Sequence, residues 1–309
     1  MKPRGLALLI AAALATSSCR IATFIPRWAA RTVELGFQDV RPAKSKLKDP
    51  VRPGAGLAVL WVGHATALVQ IEDKFILTDP VFTDTVGQIS KRLVEPGLAP
   101  ENLPPIDAVL ISHMHFDHLS QGSLELIESK VKDLIVPQQG LVYLTQHKFR
   151  SWELARWERW ELGGLRVTAV PVRHIGFRYG FDSEWMTSSY TGYVVEYRGH
   201  TVYFGGDTGY GRGFRETAAR FPNIDLALLP IAPIEPRDFM CRVHLDPPEA
   251  VRAFLDLKAR FLVPIHFDTF LNSDDEFGTA PRDLRRAVKA AGIEEKLVLL
   301  SAGEQRVLE

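Results

Sequence analysis

Residues 113–118 read His-Met-His-Phe-Asp-His, and this run restricts the possible folds more than any other feature of the chain. Imidazole nitrogens and carboxylate oxygens are the donors that zinc and its first-row neighbours accept. His113 and His115 alternate in an extended segment and project the same way, whereas Asp117 and His118 lie past a bend and face a second point nearby. Because six positions hold three of the nine histidines of the chain, we interpret the run as a metal-binding loop and not as a polar surface loop. The fold must then bring further ligands to it.

The segments on either side of this loop predict its place in a sheet. Residues 106–111 are apolar and β-branched, which is typical of a buried strand, and residues 119–130 show helical spacing of apolar side chains. A loop between a strand and a helix lies where open α/β sheets place their active sites. The sequence therefore predicts an α/β fold with the metal loop at a strand end.

Other candidate ligands follow other predicted strands. A lone histidine after a strand is more often a hydrogen-bonded core residue than a ligand, but the pattern recurs here beside a dense metal loop, which favours ligands. The three positions are His174 after residues 165–172, Asp207 after residues 201–204 and His266 after residues 261–265.

With these residues in place, the chain resembles the metallo-β-lactamase superfamily. Residues 113–118 have the form of its signature, and His174, Asp207 and His266 follow in its expected order. The closer resemblance is to the branch that contains N-acyl-phosphatidylethanolamine-hydrolysing phospholipase D and bacterial outer-membrane proteins of the RomA type. The matching stretches are residues 61–66, 78–82, 111–119, 206–210, 234–237, 244–247 and 264–266.

The resemblance implies a four-layer αββα sandwich with two zinc ions at its edge. His113, His115 and His174 would bind one ion. Asp117, His118 and His266 would bind the other, and Asp207 would bridge the two. Asp79 would support the ligands through hydrogen bonds. His64 and His244 would line the site, where His244 would contact a substrate oxygen or assist a leaving group; hydrogen bonding without a chemical role is the alternative for both.

The activity implied is that of a dinuclear zinc hydrolase, most specifically a phosphodiesterase of phospholipase D type that acts on a lipid or amphiphile through a metal-bound hydroxide. Asp117 and Asp207 would orient this hydroxide. Two alternatives stay open. One is a metal-dependent lactonase or another carboxylic-ester or amide hydrolase, because the fold does not fix the bond that is cleaved. The other is an envelope protein whose metals are structural.

Departures from the family pattern affect the lining of the site and leave the ligand set intact. Met114 and Phe116 stand where the family commonly has Asn and Tyr, and Phe267-Asp268 replaces a common Trp-Gly pair. Asp268 adds a negative charge at the rim.

The charge balance argues against a nucleic-acid partner. The chain has 37 basic and 37 acidic residues and a formal net charge of zero, so it lacks the broad basic surface that such binding requires. Residues 41–48 form a local basic cluster, which we interpret as a solvated linker, with contact to anionic lipid headgroups as the alternative.

The N-terminus predicts export. Lys2 and Arg4 precede the apolar run 6–15 and small residues that end at Cys19, as in a secretory signal that is too short to span a bilayer. Cys19 resembles a lipidation position, although Thr16 stands where Leu is usual. We expect a bacterial envelope protein, lipidated at Cys19 or free in the periplasm, whose anchor would hold it at the membrane. The predicted organisation is a signal segment 1–19, a tether 20–55 and one hydrolase domain 56–309.

Four further segments lead to expectations of local structure. Residues 138–149 predict a helix, residues 151–162 fit a helix or a hairpin, and residues 297–300 and 305–308 predict strands that close the sheet. The aromatic residues within 175–190 would form an apolar wall for acyl chains or touch a membrane, with ordinary packing as the alternative.

Overall fold

The computed structural model describes residues 26–27, 29–34, 38–87 and 90–308. The predicted signal segment 1–19, with Cys19, lies outside the described residues, as does part of the predicted tether 20–55. None of the helices in the described part combines the length and the apolar character that a bilayer span requires.

The chain contains both strands and helices, as expected for an α/β protein. The strands are β1 (Leu57–Gly63), β2 (Thr66–Ile71), β3 (Lys74–Thr78), β4 (Thr85–Val86), β5 (Ser90–Lys91), β6 (Ile106–Leu110), β7 (Val131–Pro137), β8 (Arg150–Leu154), β9 (Arg159–Leu162), β10 (Leu165–Val170), β11 (Gly192–Tyr197), β12 (His200–Phe204), β13 (Leu226–Pro230), β14 (Phe261–Ile265) and β15 (Gln305–Leu308). The helices are α1 (Gln121–Ile127), α2 (Gly213–Arg220), α3 (Arg237–Met240), α4 (Pro247–Leu257) and α5 (Thr279–Ala291), and residues 26–27 and 29–34 are also helical. Single 3₁₀ turns lie at Pro100–Asn102, Glu128–Lys130, Gly140–Tyr143 and Glu294–Lys296.

Two mixed sheets form the centre of the molecule. One has the order β15-β1-β2-β3-β6-β7-β8 and the other β14-β13-β12-β11-β10-β9, while β4 and β5 form a small ribbon. Val69 and Ile76 of the first sheet and Val195, Phe204 and Leu228 of the second line one cavity of about 10 Å³, room for about one water. The sheets therefore pack closely face to face.

Helices cover the outer faces. Leu124 and Ile127 of α1 pack on the first sheet, while Phe254 and Leu257 of α4 belong to the core of the second. Helix α4 begins where the side chain of Asp246 accepts a hydrogen bond from the backbone of Glu249, with proline at its first position. Burial of a side chain such as Phe254 contributes about 1.5–3 kcal/mol. The layers confirm the predicted αββα architecture.

The strand directions bring the candidate ligands to one edge. β3 and β6 run parallel, as do β12, β13 and β14. β1 has the direction of β3 because both pair antiparallel with β2, and β10 has the direction of β12 because both pair antiparallel with β11. The carboxyl ends of β1, β3, β6, β10, β12 and β14 thus share one orientation, and the loops that follow them form the site.

Some local expectations were wrong. Residues 138–149 are not a helix and contain only the turn Gly140–Tyr143; Gly140 is buried, and a side chain there would meet Val136 at 3.0 Å. Residues 151–162 form neither a helix nor a hairpin, since β8 joins the first sheet and β9 the second. In 297–300, only Leu297 forms a bridge, to Leu262. The closing strand at 305–308 is confirmed as β15.

The basic cluster at 41–48 lies on the domain. Lys44 pairs with Glu304 at 2.8 Å, Lys46 pairs with Glu95 at 2.9 Å, and the guanidinium of Arg41 stacks on Phe277. The backbone of residues 41–47 also bonds to residues 93–97. The predicted tether is therefore packed against the hydrolase domain over this stretch, and Arg41, Lys44 and Lys46 have partners there.

Candidate metal centre

The seven residues predicted as ligands come together at the shared edge of the sheets. Three groups of their donor atoms each lie within 4.8 Å of one another: His113 with His115 and His174; His64 with Asp117, His118 and His266; and His113 with His118 and Asp207. His113, His118 and His266 are almost completely buried. The third group contains His113 of the first group and His118 of the second together with Asp207, so the two groups are adjacent and Asp207 lies beside both.

The first cluster contains only imidazoles. Nε2 of His113 lies 2.8 Å from Nδ1 of His115 and 3.2 Å from Nε2 of His174. Nδ1 of His174 donates to the carbonyl oxygen of Val243 at 2.9 Å. Because a carbonyl only accepts, this ring carries its hydrogen on Nδ1, and the lone pair of Nε2 faces the cluster.

The second cluster is built around a carboxylate. Oδ2 of Asp117 lies 3.0 Å from Nε2 of His64, 3.7 Å from Nε2 of His118 and 3.6 Å from Nε2 of His266. Nδ1 of His266 donates to the carbonyl oxygen of Ala232 at 3.0 Å, so Nδ1 carries a hydrogen and Nε2 is the nitrogen that faces the two carboxylates.

Asp207 stands between the clusters. Its Oδ2 lies 3.2 Å from Nε2 of His266 and 3.4 Å from Nε2 of His118. The preceding Gly206 has φ +54°, and a Cβ there would approach Cβ of Ser112 to 2.2 Å. Glycine is therefore required for the turn that follows β12 to lead Asp207 into the site.

The pKa values of the candidate ligands differ between the two clusters. Burial and the neighbouring His118 lower the pKa of His113 well below its ordinary value, and burial likewise lowers the pKa of His174. Burial alone would lower the pKa of His266, but Asp207 and Asp117 raise it to about 9. Burial would raise the pKa of Asp207, yet His266 and His118 hold it well below its usual range. The first cluster thus consists of neutral donors and the second of compensating opposite charges.

The donor set fits divalent cations. Nε2 of His118, Nε2 of His266 and Oδ1 of Asp207 are buried and have no hydrogen-bond partner among the described residues, although buried polar atoms are almost always paired. Two nitrogens bound to one tetrahedral ion at zinc-like distances would lie about 3.3 Å apart, close to the separation of His113 and His174. Cations at the two positions would satisfy all of these atoms.

Asp79 lies behind the ligands, in contact with one of them. Its Oδ2 lies 2.6 Å from Nδ1 of His118, and its two oxygens accept from the backbone N–H and the hydroxyl of Ser112 at 2.7 and 2.6 Å. Sequence reasoning named Asp79 but missed Ser112. The sequence signal that could have identified Ser112 was its position between a buried strand and His113, the first candidate ligand.

A second residue that sequence reasoning missed, Arg178, contacts the backbone of the metal loop, residues 113–118. Nη1 of Arg178 donates to the carbonyl oxygens of Met114 and Leu119 at 2.9 and 2.8 Å, and its guanidinium stacks on Phe116. Arg178 is only 9% exposed. No motif distinguishes this arginine, since its contacts exist only after the fold has formed.

His64 and His244 both reach the site. The ring of His64 lies 4.0 Å from that of His266, and its Nε2 faces Asp117. Nδ1 of His244 lies 3.5 Å from Oδ2 of Asp207 and has no described hydrogen-bond partner. His64, Asp79 and His266 have φ of +54°, +32° and +61°. Such left-handed backbone is costly for residues other than glycine and is concentrated at functional sites.

The chain is similar to known proteins over most of its length. Residues 74–267 match the model of the beta-lactamase superfamily domain, a range that includes all seven predicted ligands. An uncharacterized protein of Mycobacterium tuberculosis (strain H37Rv) is 34% identical over 269 residues, which cover 81% of this chain and 68% of the relative.

Two further proteins are similar over most of the chain. N-acyl-phosphatidylethanolamine-hydrolyzing phospholipase D 1 of Caenorhabditis elegans is 29% identical over 259 residues, which cover 78% of this chain and 72% of that protein. A metallo hydrolase from the archaeon Ignicoccus hospitalis has a similar structure, with a TM-score of 0.62 at 23% identity over 82% of this chain and 98% of its own.

Proposed function

The chain belongs to the metallo-β-lactamase superfamily, whose fold it has, and from this premise we propose that it is a dinuclear metal-dependent phosphodiesterase of phospholipase D type that acts on a lipid or amphiphile. The observation that carries the dinuclear part is the third donor group, in which Asp207 lies together with His113 of the first cluster and His118 of the second. The similarity to the phospholipase D of C. elegans supports the choice of a phosphodiester. Zinc is the metal we propose, because imidazole and carboxylate donors suit it.

Bound divalent cations would lower the pKa of a water molecule and offset the negative charge that develops on the substrate. The residues of the chain supply the rest. His113, His115 and His174 would hold one ion, Asp117, His118 and His266 the other, and Asp207 both. Oδ2 of Asp117 and Oδ2 of Asp207 lie 3.7 and 3.4 Å from Nε2 of His118, and we propose that these carboxylates orient the attacking water.

His244 is placed to contact the substrate. Its side chain is 12% exposed, whereas that of Asp207 is 3% exposed, so it stands on the open side of the cluster. We propose that it donates a hydrogen bond to a phosphoryl or leaving-group oxygen. His64 would instead position Asp117 through the 3.0 Å contact.

An exposed row of aromatic rings next to the site supports an amphiphilic substrate. Phe177 lies against His115 with ring centroids 5.3 Å apart. Tyr179 packs on Phe116 of the metal loop with ring centroids 5.7 Å apart. Tyr179, Phe181 and Trp185 are 54%, 72% and 55% exposed, with successive ring centroids 5.6 and 6.3 Å apart. Exposed apolar groups in contiguous patches usually serve binding. An acyl or alkyl substituent of a substrate held at the metals would reach these rings.

Hydrolysis of matched substrates tests the proposal. We expect zinc-loaded protein to cleave an aryl phosphodiester to a phosphate monoester and a free alcohol, and to cleave the corresponding aryl carboxylic ester far more slowly. His113→Ala and Asp207→Asn should abolish both activities. Preference for the carboxylic ester would favour the lactonase or esterase alternative, and folded, zinc-containing protein inactive on both would favour structural metals.

Substrates of different chain length test the aromatic row. We expect the double variant Phe181→Ser/Trp185→Ser to lose activity on a long-chain phosphodiester through a higher KM and to keep it on a short-chain one. Leu255→Ser on α4, 48% exposed, is the control and should change neither. Equal losses on both substrates would contradict a role in binding the apolar part.

We also propose export to the bacterial envelope with lipidation of Cys19, or release into the periplasm. The support is the basic, apolar and small-residue order of residues 2–19. Mass spectrometry of the mature N-terminus tests this. An N-terminus that retains Met1 would contradict it.

A further inference from the structure

Ser112 makes an unusual set of contacts for a residue that is not itself a candidate ligand. It is 1% exposed, and its hydroxyl lies 2.6 Å from Oδ2 of Asp79 and 2.9 Å from Nδ1 of His113. Its backbone N–H donates to the other oxygen of Asp79 at 2.7 Å. One small side chain thus connects a buried carboxylate to the first histidine of the metal loop.

The hydrogens of this group can be assigned. A serine hydroxyl has one hydrogen, and a carboxylate only accepts, so the hydroxyl donates to Asp79. Towards His113 the hydroxyl oxygen must then accept. Nδ1 of His113 therefore carries the ring hydrogen, and its Nε2 is left with the lone pair that faces His115 and His174.

At His118, the acceptor for Nδ1 is Asp79 itself and not Ser112. Oδ2 of Asp79 lies 2.6 Å from Nδ1 of His118, whereas the hydroxyl of Ser112 is 3.4 Å from that nitrogen, beyond the usual range of a hydrogen bond. His118 keeps its acceptor whether or not the hydroxyl is present. The contacts of Ser112 therefore act on one cluster and not on the other.

We propose that Ser112 is a positioning residue that fixes the metal-binding tautomer of His113 and so sets the metal affinity of the first cluster selectively. The inference rests on the proposed binding of metal by that cluster. Without the hydroxyl, Nδ1–H of His113 would be buried without a partner, or the ring hydrogen would move to Nε2 and block the lone pair. Loss of such a hydrogen bond to a ligand typically weakens metal binding about 10–100-fold.

Zinc titration of metal-free protein, with a chromophoric chelator as competitor, tests this selectivity. We expect Ser112→Ala to weaken one of two binding steps about 10–100-fold and to leave the other within about threefold. Ser112→Cys should behave like the alanine variant, because a thiol of similar size is a weak acceptor. Ser189→Ala is the control: Ser189 is buried and, among the residues that the structure describes, its hydroxyl bonds to the carbonyl oxygens of Gly176 and Met186 alone, so both steps should stay unchanged.

Single-cluster backgrounds identify the step. On His266→Ala, which disables the second cluster, Ser112→Ala should weaken the remaining zinc. On His174→Ala, which disables the first, it should have no effect. The inference would be overturned if Ser112→Ala weakened both binding steps equally or neither of them. It would also be overturned if Ser112→Cys bound zinc like the wild type, or if Ser112→Ala had an effect on the His174→Ala background. Wild-type protein that binds no zinc would overturn the proposed function instead. Far-UV circular dichroism checks that each variant is folded.

Discussion

Replacement of Arg178 by methionine tests how the outer loop holds the metal loop. The guanidinium donates to the carbonyl oxygens of Met114 and Leu119, which flank three candidate ligands. Methionine has a similar length and fills the space beside Phe116, but it cannot donate, so both buried carbonyl oxygens lose this partner.

The magnitude follows from the hydrogen bonds that are lost. A hydrogen bond to a charged group contributes about 1.5–3 kcal/mol, so two give roughly 3–6 kcal/mol. Burial lowers the pKa of Arg178, which shows that its cation is partly desolvated, and removal of this cost offsets part of the loss. We therefore expect a decrease of about 2–4 kcal/mol in the free energy of unfolding, or roughly 5–10 °C in Tm.

Denaturant unfolding measures the loss of stability in Arg178→Met, and metal analysis measures the zinc that the variant retains. The free energy of unfolding should fall, and zinc retained after brief dialysis against a chelator should fall with it, because the loop that carries His115, Asp117 and His118 is less constrained. Arg212→Met is the matched control: its side chain is 91% exposed and pairs with Glu216 at the surface, so the change should stay within about 0.5 kcal/mol. If Arg178→Met were as stable as Arg212→Met and held zinc equally well, the reasoning would be refuted.

The remaining predictions concern metal removal, substrate contact and pH. Chelation should lower Tm while the far-UV spectrum stays unchanged, and metal at a hundred times its Kd should restore about 2.7 kcal/mol; a Tm that does not respond to metal would contradict the site. His244→Ala, which removes the donor, should lower kcat by at least about 100-fold with metal content unchanged, and a loss of metal instead would make His244 a ligand. Burial would raise the pKa of Asp182, but hydrogen bonds from Tyr143 and from the backbone of Arg178 and Tyr179 hold it below its usual range. This stabilisation is present above the unfolded-state pKa of about 3.9 and is lost as the pH falls through the lower folded value. Asp182→Asn should therefore lower the free energy of unfolding by about 1–3 kcal/mol at pH 7 and by progressively less below about pH 4. An equal loss at pH 3 would refute this prediction.

The ligand set was accessible to sequence reasoning because metal chemistry restricts residue types and spacing. Only a few side chains bind such cations, and residues 113–118 concentrate them. His174, Asp207 and His266 each follow an apolar segment with the periodicity of a strand, and such segments were recognisable without knowledge of their partners. Helix α4 was equally clear, because Asp246 and Pro247 mark its first turn.

Local patterns failed where long-range pairing decides the structure. Residues 138–149 have helical composition, yet this segment must connect two parallel neighbours, β7 and β8, and Gly140 packs against Val136. The tryptophan-rich segment 151–162 passes from one sheet to the other, which no local period indicates. The single bridge at Leu297 depends on the position of Leu262.

The sequence by itself determined which atoms can bind metal and the order in which the chain presents them. Only the tertiary structure decided how those atoms are held: which carbonyl or carboxylate oxygen each ring nitrogen faces, and which other residues contact the loop, such as Asp79 through Ser112 and Arg178 through two backbone carbonyl oxygens. The physical reason is that ligand identity is a property of single side chains, whereas tautomer and orientation depend on hydrogen bonds between segments far apart in the chain. Those partners become neighbours only when the strand ends meet at one edge of the two sheets.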